Sequence, residues 1–521
     1  MRPGVRWRLG VSCWLPRAGC GEVPSVSDES PEAGDGLRAA NARLRVLLAD
    51  RDTRIEVLVR QARDKDAAIV ALAAQVEDLT GQVADLAARV KQTSKNSSRP
   101  PSGDGLGKPA PKSLRKKTGR KPGRPKGQPG ATMELTDRPD HVVRHEPGCC
   151  AGCGGGLSGA PETGMERRQV TDIPPVKPTV TEHQMIEREC ACGARTKGEA
   201  PAGVNAPVQY GPRVSALAAY LWHGQFLSRD RACAALGEMF GCAPSPAVIA
   251  SAAKKIAAFT GPALDAIIKG LLASEVVHFD ETGFRVAGQL AWVHSASSAK
   301  YVLVTVHAKR GTKGMDATGI LPSFAGIAVH DAWAPYDTYA GVAAHALCNS
   351  HVLRELIAVT ETGTELDVLW AQQAIGALLA LKDAAGAAAA AGNTAISQDV
   401  LDKHAKLFTD AAATGIVANA GRRTRLQKKR HALATRMKSR QADYLRFARD
   451  LRVPFDNNEA ERVIRMSKLR IKVSGCMRSM TGAQQFCAIR SYLSTAAKHG
   501  ITALDALTQA ATGTPWLPAA E

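Results

Sequence analysis

The clearest periodicity in the chain lies near its N-terminus. Ile69, Leu72, Val76, Leu79, Val83, Leu86 and Val90 recur at alternating steps of three and four, an apolar seam of the a/d kind. Run backwards, the same register takes in Leu58, Ile55, Leu48, Leu44 and Leu37, interrupted at Asn41, Arg51, Ala62 and Lys65. No proline falls in 37–91, so the pattern predicts one helix roughly 80 Å long. A stripe two positions wide is too narrow to face a globular core. Residues 37–91 therefore read as a coiled coil that joins copies of the chain, with Asn41 and Lys65 placed to set register or copy number. Residues 1–36, rich in Gly, Pro and Ser and without a period, read as disordered.

Further along, the period changes twice. In 203–272, Val214, Leu217, Ala218, Leu221 and Trp222 share one helical face. The run Arg231–Gly241 then leads through Ser245 to a helix over Ala247–Ala258. Helix, glycine turn, serine cap and helix resemble a helix-turn-helix, and two simply packed helices give the same pattern. From Glu275 the pattern becomes strand-like: Glu275–Asp280, Leu290–Ser295, Tyr301–His307 and Gly326–Asp331, with turn signals at Gly288 and Ser297–Ala299. Residues 356–451 read as a helical, Ala-rich insertion. Asn457-Asn458 is placed to cap a helix from Glu459 to about Ser467, Gln484–Lys498 reads as another, and 501–521 reads as a tail. The expected fold class is multidomain α+β, with α/β strands in 273–355 joined to 452–500 across the insertion.

Charge changes the picture. The 68 Lys+Arg exceed the 49 Asp+Glu, a formal net charge of +19 over 521 residues, which favours a polyanionic partner such as nucleic acid. The excess is concentrated in Arg89–Gly130, Arg422–Arg449 and Arg462–Arg478, and the remainder is net acidic. Residues 92–140 read as a Pro/Gly-rich basic arm. Within it Arg120, Lys121, Arg124 and Lys126 surround a Gly-Arg-Pro core, suited to phosphate or minor-groove contact with double-stranded DNA. No apolar run reaches the roughly 18 residues of a membrane span. The first residues lack the apolar core of a signal peptide, so a cytoplasmic location is expected.

Two cysteine pairs stand out in 141–202. Cys150-x-x-Cys153 and Cys190-x-Cys192 are each followed by glycine, with Cys149 an alternative to Cys150. Paired thiolates on tight glycine knuckles suit structural Zn2+, and a segment so rich in Gly and Pro has little core of its own. Acids provide a different candidate. Asp280 and Asp331 close two apolar strands, and Glu461, with Glu459 as an alternative, lies on the first turns of the capped helix. Three carboxylates around one point repel unless cations lie between them, and hard oxygen ligands suit Mg2+ or Mn2+. Such a pair of ions serves phosphodiester chemistry.

The strings His278-Phe-Asp280-Glu281-Thr282, Val329-His-Asp331-Ala-Trp333, Cys348-Asn-Ser-His351-Val-Leu-Arg354 and Asp456-Asn-Asn-Glu-Ala-Glu461-Arg462 resemble the motifs of bacterial insertion-sequence transposases of the insertion sequence sixty-six type. The order of parts is also similar, from coiled coil through basic arm, cysteine pairs and the Tyr210-Gly-Pro helical region to the acidic motifs. The resemblance implies a ribonuclease-H-like core with an Asp-Asp-Glu triad, matched here by Asp280, Asp331 and Glu461. It implies cleavage at the ends of a mobile element and joining of the freed 3′-OH to target DNA, followed by recombination of the host DNA. It places Cys348 and His351 on a Cys-x-x-His signature that supports the site, and Arg462, Arg465, Lys468 and Lys472 where they grip the DNA backbone. A homo-oligomer, accessory proteins of the same element and a place on the bacterial nucleoid go with that resemblance. A DNA-binding regulator, a nuclease that cuts without joining, and a coiled-coil scaffold share parts of this pattern.

Counterion release scales with the number of phosphate contacts. Deletion of residues 92–130 is therefore expected to weaken DNA binding and to flatten the dependence of log K on log salt. An unchanged slope in a fluorescence-anisotropy titration rejects the arm's role.

Overall fold

The computed structural model describes residues 31–90, 92, 96 and 133–519. Residues 1–30 and most of the basic arm, including Arg120, Lys121, Arg124 and Lys126, lie outside them. The chain divides into two units, Met1–Ala87 and Ala88–Glu521.

The first unit is helical. Helix α1 runs Pro31–Val90, starting six residues before the predicted coiled coil. Proline at the first helical position and acids in the first turn favour that earlier start. The seam residues Leu37, Leu44, Leu48, Ile55, Leu58, Ile69, Leu72, Val76, Leu79, Val83, Leu86 and Val90 are all exposed. The helix carries an apolar stripe that nothing within this unit covers.

The second unit begins with a hairpin of β1 (Glu187–Glu189) and β2 (Arg195–Lys197), which carries the second cysteine pair in its turn. Four helices follow: α2 (Pro212–Ala219), α3 (Arg229–Phe240), α4 (Pro246–Phe259) and α5 (Gly261–Ala273). As expected, α3 stops at Gly241 in the left-handed conformation and Ser245 caps α4 by accepting from the Val248 amide. Strands β3 (Val276–Val286), β4 (Gln289–Ser297) and β5 (Val302–His307) form an antiparallel meander. Next come α6 (Thr312–Asp316), β6 (Ile327–His330) and β7 (Ala344–Leu347). Both β6 and β7 run parallel to β3, giving the order β5-β4-β3-β6-β7. The chain then builds α7 (Asn349–Thr362), α8 (Glu365–Ala390), α9 (Gln398–Ala418), α10 (Arg425–Ser439), α11 (Gln441–Tyr444) and α12 (Arg446–Arg449). It returns through α13 (Asn458–Ser474), α14 (Met480–Lys498) and α15 (Ala503–Thr512).

Strand alternation assigns the sheet's two faces. Val277, Phe279, Leu303 and Ala328 pack on Ile267 and Leu271 of α5. On the opposite face, Phe284, Val293, Val302 and Val304 meet Ala483 and Phe486 of α14, and Val329 and Leu347 meet Val352 and Leu356 of α7. Ser491 and Thr495 of α14 also accept from the Val304 and Val302 amides at 2.8 and 3.0 Å, tying that helix to the edge strand.

Several expectations need correction. β3 does not end at Asp280: it pairs with β4 as far as Val286↔Gln289, because Ala287 and Gly288, both with positive φ, make a two-residue hairpin turn. Residues 501–521 are not a tail, since Leu507 and Ala510 of α15 are buried among α2, α4 and α14. The helix after Asn457 reaches Ser474 rather than Ser467, and Asn457 makes no side-chain cap. The basic stretch 422–449 is partly structural. Arg430, Arg436, Arg440 and Arg446 form ion pairs with Asp367, Glu355, Asp337 and Asp443.

The tightest of these anchors the helical insertion. Buried Asp367 accepts from Thr364 N, Trp370 Nε1, Asn419 Nδ2 and Arg430 Nη1 at 2.8–3.1 Å. Burial alone would raise its pKa, but those hydrogen bonds and the Arg430 charge prevail and lower it. Asp367→Ala leaves Arg430 buried without its carboxylate and is expected to destabilise the protein by about 3–5 kcal/mol, read as a fall in the denaturation midpoint. Because the folded pKa is depressed, the contribution is fully present above the unfolded value of about 3.9 and is lost as pH falls through the folded one. Wild type and variant should converge in stability only in that acid range.

Candidate active site

The sheet register decides where two of the acids fall. Parallel pairing of β3 with β6 runs Val276↔Ile327, Val277↔Ala328 and His278↔Val329. Asp280 lies two residues beyond the last of these pairs in β3, on the face of His278 and Val329, and Asp331 directly follows the end of β6, near enough for its charge to act on Asp280. That face is the one covered by α7 and α13, since Val329 packs on α7 and His278 bonds to Asn457 at the start of α13. Asp280 Oδ1 accepts from the Glu281 amide at 2.9 Å and Asp331 Oδ1 from the Trp333 amide at 3.0 Å. Burial, then the neighbouring Glu281 and Asp331, and more weakly Glu461, push the Asp280 pKa well above the usual carboxylate range.

Glu461 arrives on the first turn of α13. Asn457 fixes that helix's approach: its Nδ2 donates to Phe279 O at 2.7 Å, its Oδ1 accepts from His278 Nδ1 at 2.8 Å, and its amide donates to Cys348 Sγ at 3.2 Å. One asparagine therefore ties α13 to β3 and to the N-terminus of α7. Ligand atoms of Glu461, Cys348 and His351 lie within 4.8 Å of one another. Glu461 Oε1 and His351 Nδ1 are buried and lack a hydrogen-bond partner. Burial pushes the Cys348 thiol up to about 12 and the His351 imidazole down, so both are neutral beside the carboxylate.

The remaining acids nearby are neutralised by the protein. Buried Glu281 accepts from Arg310 Nη2 at 2.7 Å and from Tyr336 Oη at 2.6 Å. The Arg310 guanidinium in turn lies 3.9 Å from the Trp333 ring centroid. Glu459 accepts from Lys498 Nζ and Arg462 Nη2, each at 2.7 Å. Among the described residues, Asp280, Asp331 and Glu461 form no such ion pair. Oxygens of this type, without a protein cation, suit hard divalent ions, but the ligand atoms of Asp280, Asp331 and Glu461 are not gathered within 4.8 Å of one another among the described residues, and Glu461 groups with Cys348 and His351 instead. The sequence reading missed Glu281, Arg310 and Asn457 as site residues. The adjacent Asp280-Glu281 pair within an apolar strand was the available signal for Glu281, whereas nothing local marks Arg310.

Of the expected DNA-contacting residues, Arg462, Arg465, Lys468 and Lys472 are exposed on α13, with Arg462 committed to Glu459. The cysteine pairs sit on two similar loops. The Cys150 amide donates to Gly155 O and the Gly154 amide to Cys150 O. The Cys190 amide donates to Ala194 O and the Gly193 amide to Cys190 O. Gly154 and Gly193 have positive φ. Hydrogen bonds from Cys153 and Gly152 lower the Cys150 thiol pKa, and bonds from Cys192 lower that of Cys190, so the loops favour thiolates and fit Zn2+. The two pairs are not gathered into one three-ligand cluster among the described residues.

Comparison with known families makes this molecule a DNA transposase. Residues 207–485 match the model described as Transposase IS66 family, and the chain belongs to that family. Residues 147–193 match the zinc-finger binding domain of transposase IS66, so the cysteine segment is a zinc-finger-type domain. Residues 26–134 match a family of unknown function, DUF6444. No curated protein matches the chain.

The two glutamates of α13 separate in a direct test. Glu461→Gln is expected to weaken Mn2+ binding by more than the roughly tenfold that loss of a supporting group costs. Glu459→Gln should leave Mn2+ binding intact and lower the melting temperature by loosening Lys498. Isothermal calorimetry and thermal melts distinguish the two, and equal effects on Mn2+ refute the assignment.

Proposed function

We propose that this transposase cleaves the ends of its mobile element and joins the freed 3′-OH to target DNA, with Asp280, Asp331 and Glu461 as its Asp-Asp-Glu set. The observation that supports this reading is the parallel pairing of β3 with β6, with Asp280 just beyond its last pair and Asp331 just after β6, together with the charge interaction of Asp280 with both Asp331 and Glu461. The meander β5-β4-β3 continued by parallel β6 and β7 supports a ribonuclease-H-like core, spanning 273–355 and 452–500 around the 356–451 insertion. Mg2+ or Mn2+ held by these carboxylates supplies activation of the attacking oxygen and stabilisation of the leaving one.

The chain's own residues have separable tasks. Asp280 and Asp331 hold the cation side of the reacting phosphodiester. Glu461 closes that set from α13, and Cys348 and His351 hold it there as neutral neighbours. Arg465, Lys468 and Lys472, three and four apart on one exposed helical face, lie where the DNA backbone would run, with Arg462 sharing that face while bound to Glu459. Arg120, Lys121, Arg124 and Lys126 add arm contacts, and Cys150, Cys153, Cys190 and Cys192 ligate structural Zn2+. The exposed stripe of α1 is covered by the same stripe of a second copy, as a coiled coil. A transposase working on the host genome belongs on the bacterial nucleoid, in the cytoplasm, with accessory proteins of the element as further partners.

Asp280→Asn is expected to abolish Mg2+-dependent cleavage of element-end DNA while leaving DNA affinity within about threefold, since it leaves the exposed basic residues intact. Gel assays of cleavage and mobility shift read the two separately. A variant that still cleaves overturns the assignment.

A further inference from the structure

A second group of donors lies beside Asp331. His330, the last residue of β6, is fully buried. Its ring stacks on Tyr336 at 4.4 Å and meets His345 of β7 edge-on at 5.1 Å. His330 Nδ1 donates to the Asp331 carbonyl. A carbonyl only accepts, so the proton sits on Nδ1 and the lone pair on Nε2. That Nε2 lies 2.9 Å from His345 Nδ1. Asp337, in the short 3-10 turn Ala334–Thr338, brings a carboxylate oxygen within 4.8 Å of a ring nitrogen of each histidine.

We propose that His330 Nε2, His345 Nδ1 and the Asp337 carboxylate form a transition-metal site, distinct from the Asp280–Asp331–Glu461 set and from the cysteine pairs. Two imidazoles and one carboxylate suit Zn2+ or a similar borderline ion, whereas Mg2+ prefers oxygen throughout. Three protein ligands leave a fourth position for water. The backbone carbonyl bonded to His330 Nδ1 is the partner that a metal-bound imidazole commonly keeps on its other nitrogen. Asp337 likewise accepts from Arg440 Nη1 at 2.8 Å, the outer support usual for a ligating carboxylate, and Arg440 is itself balanced by Asp443. An ion here would clip the end of β6 and the following turn to β7, and so brace the backbone that presents Asp331. The metal site itself does not depend on the transposase reading.

The test uses the full-length protein, loaded with Zn2+ and desalted, then with Co2+. Native protein should retain one zinc per chain more than Asp337→Ala or His345→Ala. The Co2+ absorption lost in those variants should be weak d–d bands without the near-ultraviolet charge transfer of thiolate ligands, which separates this site from the cysteine segment. Asp337 is exposed, so its alanine variant should keep the native circular dichroism and remains informative if His345→Ala misfolds. Equal zinc content and identical Co2+ spectra in native protein and Asp337→Ala overturn the proposal.

Discussion

Carboxylates packed beside one another in a half-buried site repel, and the surroundings of Asp280 are organised around that constraint. Each nearby acid with a structural task is given a cation. Arg310 serves Glu281, while Lys498 and Arg462 serve Glu459. Asp280, Asp331 and Glu461 are the ones left without such a partner. Burial and the neighbouring acids raise the pKa of Asp280, so its charge is disfavoured by the groups the chain itself supplies. The fold spends three arginine or lysine side chains on the neighbouring acids and, among the described residues, none on these three.

Bringing those acids to one side of the sheet is a long-range problem. Asp331 follows Asp280 by about fifty residues, and Glu461 comes after a helical insertion of about a hundred more. The insertion packs Trp370, Phe408 and Met437 into the core that also takes in Val329 and Leu347 of the sheet, and it has a buried ion pair between Asp367 and Arg430. It therefore returns the chain at a defined point. Asn457 stands at that point and spends its whole side chain on β3 rather than on capping α13. The Cys348 thiol and the His330 carbonyl, which accepts from the Cys348 amide at 3.0 Å, extend the link to α7 and β6. Position of the third acid thus depends on backbone and amide hydrogen bonds, which are directional, rather than on apolar packing, which is not.

The apolar seam of α1 poses a different physical question. Its leucines, isoleucines and valines are exposed along the helix, a surface that water disfavours and that the heptad period makes complementary to itself. The zinc-finger-type segment is short of core in another way. Its strands are three residues long and exposed, so its order rests on the glycine knuckles and on what the thiolates bind.

Much of this was written locally. Heptad spacing marked α1, Gly241 and Ser245 marked the break between α3 and α4, Gly288 marked the hairpin, and the motif strings around Asp280, Asp331 and Glu461 carried the family resemblance. These signals survive because each arises from a short stretch of backbone geometry or from a fixed spacing. Other features depend on partners remote in sequence. Asp280 lies mid-strand because β4 keeps pairing beyond it. The last twenty residues are not a tail because α15 finds a pocket among α2, α4 and α14. Four arginines of one basic run are consumed by ion pairs, and Glu459 is separated from Glu461 by Lys498, thirty-nine positions away. The sequence by itself determined the family resemblance, the candidate side chains and the local elements that hold them. Only the tertiary structure decided which of those charges are cancelled, because cancellation depends on distances of a few ångströms between segments that the linear order keeps apart.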